Sequence, residues 1–72
     1  MKITYDAEAD ALAIIFRETT VTTQHLAEGI AVDYDGEGRI AGIEVLDVIR
    51  RVGGKETLHQ VVLEGVGFYE TS

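Results

Sequence analysis

The chain contains no cysteine, no proline and no tryptophan, and its single serine is the last of its 72 residues. Without thiols, disulfide staples and thiolate zinc sites are excluded. With serine confined to position 72, a Ser-His-Asp triad has no credible nucleophile, and the threonines between 19 and 23 lack the free amino terminus that activates catalytic threonine. Basic residues are also scarce, six against 13 acidic ones for a net charge of −7, with the carboxylates spread along the chain. Nucleic acids and anionic lipids need clustered Lys and Arg, so neither is expected as a partner, whereas a basic protein surface is electrostatically matched. No apolar run approaches the ~20 residues of a membrane helix, and Met1 to Asp6 carries no apolar signal stretch, so a cytoplasmic location is expected. The glycines form neither the dinucleotide fingerprint nor a nucleotide loop, and no cofactor is implied.

What is present is ordinary globular composition, 46% apolar and 26% charged, compressed into one domain spanning 1–72. A chain this short buries only about 60% of its unfolded surface, so its core is marginal. With covalent staples gone, the remaining reinforcements are a metal held by oxygen ligands or a second chain.

Short alternating runs dominate. Lys2 to Tyr5 places Ile3 and Tyr5 on one side, and Ala11 to Phe16 places Leu12, Ile14 and Phe16 on one side, with the acidic turn Asp6-Ala7-Glu8-Ala9-Asp10 between them. Glu18 to Thr23 reads as an exposed connection or an edge strand. Ile30 to Tyr34 and Ile40 to Val48 form a second pair about Gly36-Glu37-Gly38, with a bulge or strand end near Val45, where the apolar parity changes. After Gly53-Gly54 the sequence is ambiguous. Leu58, Val61 and Val62 have helical spacing, but the β-propensity of the region favours a strand from about Gln60 to Val66. The fold class expected is mainly β, with α+β as the alternative: an antiparallel sheet of 4–5 strands built from two hairpins, with at most one short helix.

One motif competes with this reading. In the segment DYDGEGRIAGIE, Asp33, Asp35, Glu37, Gly38 and Glu44 occupy places one, three, five, six and twelve of a calcium-binding loop. Glu replaces the usual Asp or Asn at the fifth place, and Ala41 at the ninth cannot orient a water. The flanks alternate with period two where converging helices are needed, and an extended 40–45 puts Glu44 about 20 Å from Gly38 at ~3.3 Å per residue. The hairpin is therefore preferred, leaving Asp33, Asp35, Glu37 and Glu44 as secondary metal-ligand candidates.

Other chemistry is sparse. Asp6, Glu8 and Asp10 read as a solvated turn and not as an acid-base pair. His25 and His59 titrate near neutrality but have no motif around them. Arg50, Arg51 and Lys55 form the one basic cluster, a candidate anchor for a carboxylate, a phosphate or another subunit.

The opening MKITYDAEADAL, the middle GIAVDYDGEGRI and the GIEVLD at 42 to 47 together resemble a bacterial family known as domain of unknown function 2283, over roughly residues 1 to 50. The resemblance implies no activity. Its members look like stand-alone small proteins, some encoded beside small toxin-like partners, which implies a binding role. The family has Tyr or another large residue near the position of Ala13, so local packing differs here. The expected function is a non-enzymatic protein-interaction module, self-associated through an edge strand or an apolar face and able to serve as the acidic partner of a small basic toxin-like protein. Two alternatives stand beside it. One is a small metal-binding or enzymatic domain using Asp33, Asp35 and Glu44, or His25 with a nearby carboxylate. The other is a structural subunit of a homo-oligomer.

Overall fold

Five strands form one antiparallel sheet in a computed structural model that describes residues 1–65. They are β1 (Lys2–Asp6), β2 (Ala11–Ile15), β3 (Thr22–Ala27), β4 (Ile30–Tyr34) and β5 (Ile40–Val45), followed by the short helices α1 (Val48–Val52) and α2 (Lys55–Leu58). The spatial order is β1-β2-β5-β4-β3, so the β1–β2 hairpin docks on the last strand of a β3–β4–β5 meander. The expected mainly-β sheet and both hairpins are present.

Three particulars differ from expectation. Of the two readings of Glu18 to Thr23 the edge strand is the one present, but it is displaced along the chain to Thr22–Ala27 and turned into β4 by Glu28 and Gly29, with Gly29 at φ 78°. Two helical segments appear where at most one was expected. Residues 60–65 carry no strand, and the remainder of the expected final strand, Val66, lies outside the described residues. Its β-propensity finds no ladder, because Val61 lies over the apolar face of β1 and β2 beside Ile3, Leu12 and Ile14, and a strand needs a row of backbone partners.

The cross-strand register sorts side chains by face. Ile3, Ile14, Ile43 and Val32 lie in one row across four strands, and Tyr5, Leu12, Val45 and Ile30 in the next, which builds an apolar face. The opposite face carries Thr4, Ala13, Glu44, Ala31 and His25 in one row and Lys2, Ile15, Gly42, Asp33 and Thr23 in the other. Between Asp33 and Tyr34 the register slips, because Asp33 faces Gly42 while Tyr34 faces Ile40. Ala41 is the extra residue of this bulge, and its carbonyl accepts the amides of Phe16 at 2.8 Å and Arg17 at 3.3 Å beyond the end of β2.

Asp10 joins the first hairpin to α1. It sits at φ 51°, a left-handed conformation that Asp tolerates better than most residues. Its carboxylate accepts the Tyr5 hydroxyl at 2.7 Å and the Ile49 amide at 3.2 Å, while its carbonyl accepts the Val48 amide at 3.2 Å. The turn before it is organised by Asp6, whose Oδ1 accepts the amides of Glu8 and Ala9. Asp6 and Glu8 are exposed, as expected of a solvated turn, while Asp10 is half-buried and serves as a joint. At the neighbouring corner, the Arg51 guanidinium donates to the carbonyls of Leu46 and Glu28, directly over Gly29, where a Cβ would lie 2.7 Å from Arg51 Nη2.

The core is thin. Among the described residues Ala31, Val32, Ala41 and Val48 are the buried apolar ones, and Val48 alone is fully enclosed. The radius of gyration is 14.2 Å, against about 11 Å for a compact domain of this length.

Asp10→Ala is expected to lower the unfolding free energy by about 1–3 kcal/mol in urea titrations, because the Ile49 amide and the Tyr5 hydroxyl lose their acceptor and Ala tolerates the left-handed conformation less well. Asp10→Asn should retain most of that stability. Asp10 holds the Tyr5 hydroxyl above its usual 10.0, and in Asp10→Asn its ultraviolet titration should move back towards that value.

Candidate functional site

Of the candidate carboxylates Asp33, Asp35, Glu37 and Glu44, the polar face of the sheet brings Asp33 and Glu44 together. Asp33 on β4 faces Gly42 on β5, so Glu44, two residues along β5, is its diagonal neighbour. Gly42 makes the approach possible. A Cβ there would stand 3.3 Å from Asp33 Oδ2 and 3.1 Å from the Ile14 carbonyl. Thr23 Oγ1 donates to Asp33 Oδ1 at 2.5 Å from the edge strand. Glu44 hydrogen-bonds to Asp33, and this bond, with partial burial and the adjacent negative charge, raises the Glu44 pKa above its usual 4.5. His25, two strands away in the row of Glu44, opposes that shift by its positive charge. Beside the pair lies a shallow hollow of about 230 Å³, floored by Ala41 and Gly42 and edged by Asp33, Arg17 and Glu18.

Asp35 and Glu37 go elsewhere. The Asp35 carboxylate is turned into the β4–β5 loop, where Oδ1 accepts the amides of Glu37 and Arg39, both at 2.9 Å, and Oδ2 pairs with Arg39 at 3.0 Å and with Arg17. These bonds, led by the Arg39 amide, lower its pKa to about 2. Glu37 pairs with Arg39 at the exposed rim. Sheet register, and not a coordinating loop, therefore brings Asp33 to Glu44, while Asp35 holds a turn together. Among the described residues no three His, Asp or Glu side chains are arranged to hold a metal ion.

The basic candidates disperse. Arg50 pairs with Asp47 at 3.3 Å on the surface, and Arg51 is spent on two backbone carbonyls. Lys55, with His59, lines a separate cavity of about 630 Å³ between the apolar face and the C-terminal segment, whose walls include Ile3, Leu12, Ile14, Leu58 and Val61. Val61, which lines this cavity, and the Val62 and Leu63 that follow it are 68%, 75% and 69% exposed. No local sequence pattern announces this cavity, because it depends on how the tail crosses the sheet. The Arg17–Asp35–Arg39 cluster has as its sequence signal the acidic turn preceding Arg39.

Residues 2–48 match the model of the family described as "Protein of unknown function (DUF2283)", and the chain belongs to that family. The match begins with β1 and ends at the first residue of α1, so it takes in the whole sheet and leaves α2 and the tail outside. No curated protein and no solved structure matches the chain. No helix among the described residues is long and apolar enough to cross a membrane.

The two shifted carboxyls impose opposite pH dependences. Between 4.5 and its raised folded value, Glu44 holds a proton that the unfolded chain has released, so stability rises as pH falls through that window. Asp35 contributes stability that is full above 3.8 and lost as pH falls towards about 2. Urea midpoints measured against pH are expected to rise and then fall on acidification. Glu44→Gln should abolish the rise, and Asp35→Asn should flatten the fall.

Proposed function

We propose that the protein is a non-enzymatic interaction module of the cytoplasm, whose apolar sheet face is completed by a protein partner with an apolar patch and a basic rim. One observation carries this reading. The sheet has a single layer, and its apolar face is covered by a tail that leaves a 630 Å³ gap and keeps Val61, Val62 and Leu63 turned out to solvent. Exposed apolar surface of this kind marks interaction sites, and the chain's own residues do not fill it. The net charge of −7 makes a basic protein the electrostatically favoured partner, with encounter accelerated at low salt. A small basic toxin-like protein fits that description. The polar face supports binding better than catalysis, since the Asp33–Glu44 pair lies on an open surface and the Thr23 hydroxyl beside it donates to Asp33 from an exposed edge strand.

The test compares affinity capture from the native cell by the wild type and by a Val61→Asp/Leu63→Asp variant, at low and high salt. A basic protein retained by the wild type at low salt, released at high salt and lost by the variant is the expected result. Identical recoveries by both proteins would remove the apolar face from the reading, and no specific recovery by either would remove the reading itself.

A further inference from the structure

The two edges of the sheet are unequal. β3 is the protected edge, because its register breaks between His25 and Ala27 and the strand twists there. β1 is unprotected. All five of its residues are exposed, it pairs with β2 in unbroken register from Lys2 to Asp6, and no strand among the described residues pairs with its outer side. An open row of backbone donors and acceptors of this kind is a template for a further strand.

The sequence of that edge, Lys-Ile-Thr-Tyr-Asp, is complementary to itself when read backwards. Laid antiparallel against a second copy about a two-fold axis at Thr4, it places Lys2 opposite Asp6, Ile3 opposite Tyr5 and Thr4 opposite Thr4. Period-two alternation puts Lys2, Thr4 and Asp6 of both copies on the polar face, and Ile3 and Tyr5 of both on the apolar face. Every directly opposed pair is therefore of a favourable kind: two ion pairs, two aliphatic–aromatic pairs and a threonine pair. The same operation on β3, centred on Gln24, sets Thr22 against Leu26 and Thr23 against His25, and forms no ion pair. The present contacts of β1 do not obstruct the arrangement. Lys2 pairs with Glu18 at an exposed site with two further ammonium protons to offer, and Asp6 uses Oδ1 for its turn and keeps Oδ2 free of the turn amides.

We propose that β1 is the homodimer edge of this protein, two copies joining through antiparallel β1 strands in the register centred on Thr4 to form one ten-stranded sheet. The occupant of the edge is a second copy of the chain because the edge carries its own complement in charge and in face. Ile3 and Tyr5 also line the apolar cavity, so the seam brings two such cavities side by side and makes one continuous apolar trough. The proposal deepens the interaction-module reading but stands on a different surface from the partner-binding margin at Val61 to Leu63.

The absence of cysteine supplies a clean test. In Thr4→Cys the only thiols of the two copies face each other, with Cβ atoms about 4.5–5.5 Å apart, within the reach of a disulfide. In Lys2→Cys the thiols stand about 13 Å apart along the seam, four residues at ~3.3 Å each. Mild oxidation is expected to give a covalent dimer of Thr4→Cys and none of Lys2→Cys. Light scattering over a concentration series gives the second arm. Lys2→Glu and Asp6→Lys should each weaken the dimer about tenfold, since two attractive pairs become repulsive, while an equimolar mixture of the two variants should restore it. Circular dichroism confirms that each variant is folded. A monomer at all concentrations overturns the proposal, as does efficient cross-linking of Lys2→Cys. A dimer indifferent to both charge reversals and broken by Val61→Asp/Leu63→Asp also overturns it, and would leave the apolar face as the binding surface.

Discussion

Everything in this fold is hung on the two rows of backbone hydrogen bonds made by β5. The first hairpin and the meander meet nowhere else in the sheet, since β2 and β4 are both partners of β5 and β1 and β3 lie outside them. The strand's sequence suits that place: Ile43 and Val45 serve the apolar face, while Ala41 and Gly42 are buried without bulk. Gly42 is required by close approach from both sides, with the Ile14 carbonyl on one flank and Asp33 on the other. A larger residue would push against backbone on the β2 side, where there is no flexible side chain to give way.

The same strand carries the feature hardest to justify by stability alone. Two carboxyl groups are brought together across β4 and β5, an arrangement that disfavours ionisation of Glu44 and that any apolar or amide pair would relieve. A small domain with four buried apolar residues among those described has little stability to spare. Such local conflicts between residue choice and fold concentrate where a surface has work to do. The polar face of the sheet therefore has a chemical character of its own, distinct from the apolar face on which the tail lies.

Much of the sheet was legible because alternation is a strong signal when one face is apolar. Ile3 with Tyr5, Leu12 with Ile14, and Ile30 with Val32 each fixed a strand and its orientation, and the change of parity after Val45 marked the end of β5. β3 was shifted and its extent missed because Thr22 to His25 is polar on both faces, leaving propensity without period. The final segment was misread for the opposite reason. Val61, Val62 and Leu63 have the propensity of a strand, but Val61 lines the cavity over the apolar face and no ladder forms, which no local pattern reports. Within the site, Asp33 and Glu44 were picked out by a loop pattern that does not form and were united by pairing register. Asp10 was passed over because a carboxylate in a turn usually faces water, and only the placement of α1 shows that it bonds Ile49.

The strand order also fixes how the chain comes together in time. β3, β4 and β5 are joined by short turns, as are β1 and β2, so each unit can collapse by closing small loops at modest entropic cost. Within the sheet the β2–β5 seam alone joins positions nearly thirty residues apart, Ile15 with Gly42. Zipping that seam is the high-contact-order step, and it falls to the kinetic bottleneck to align a preformed hairpin on a preformed meander.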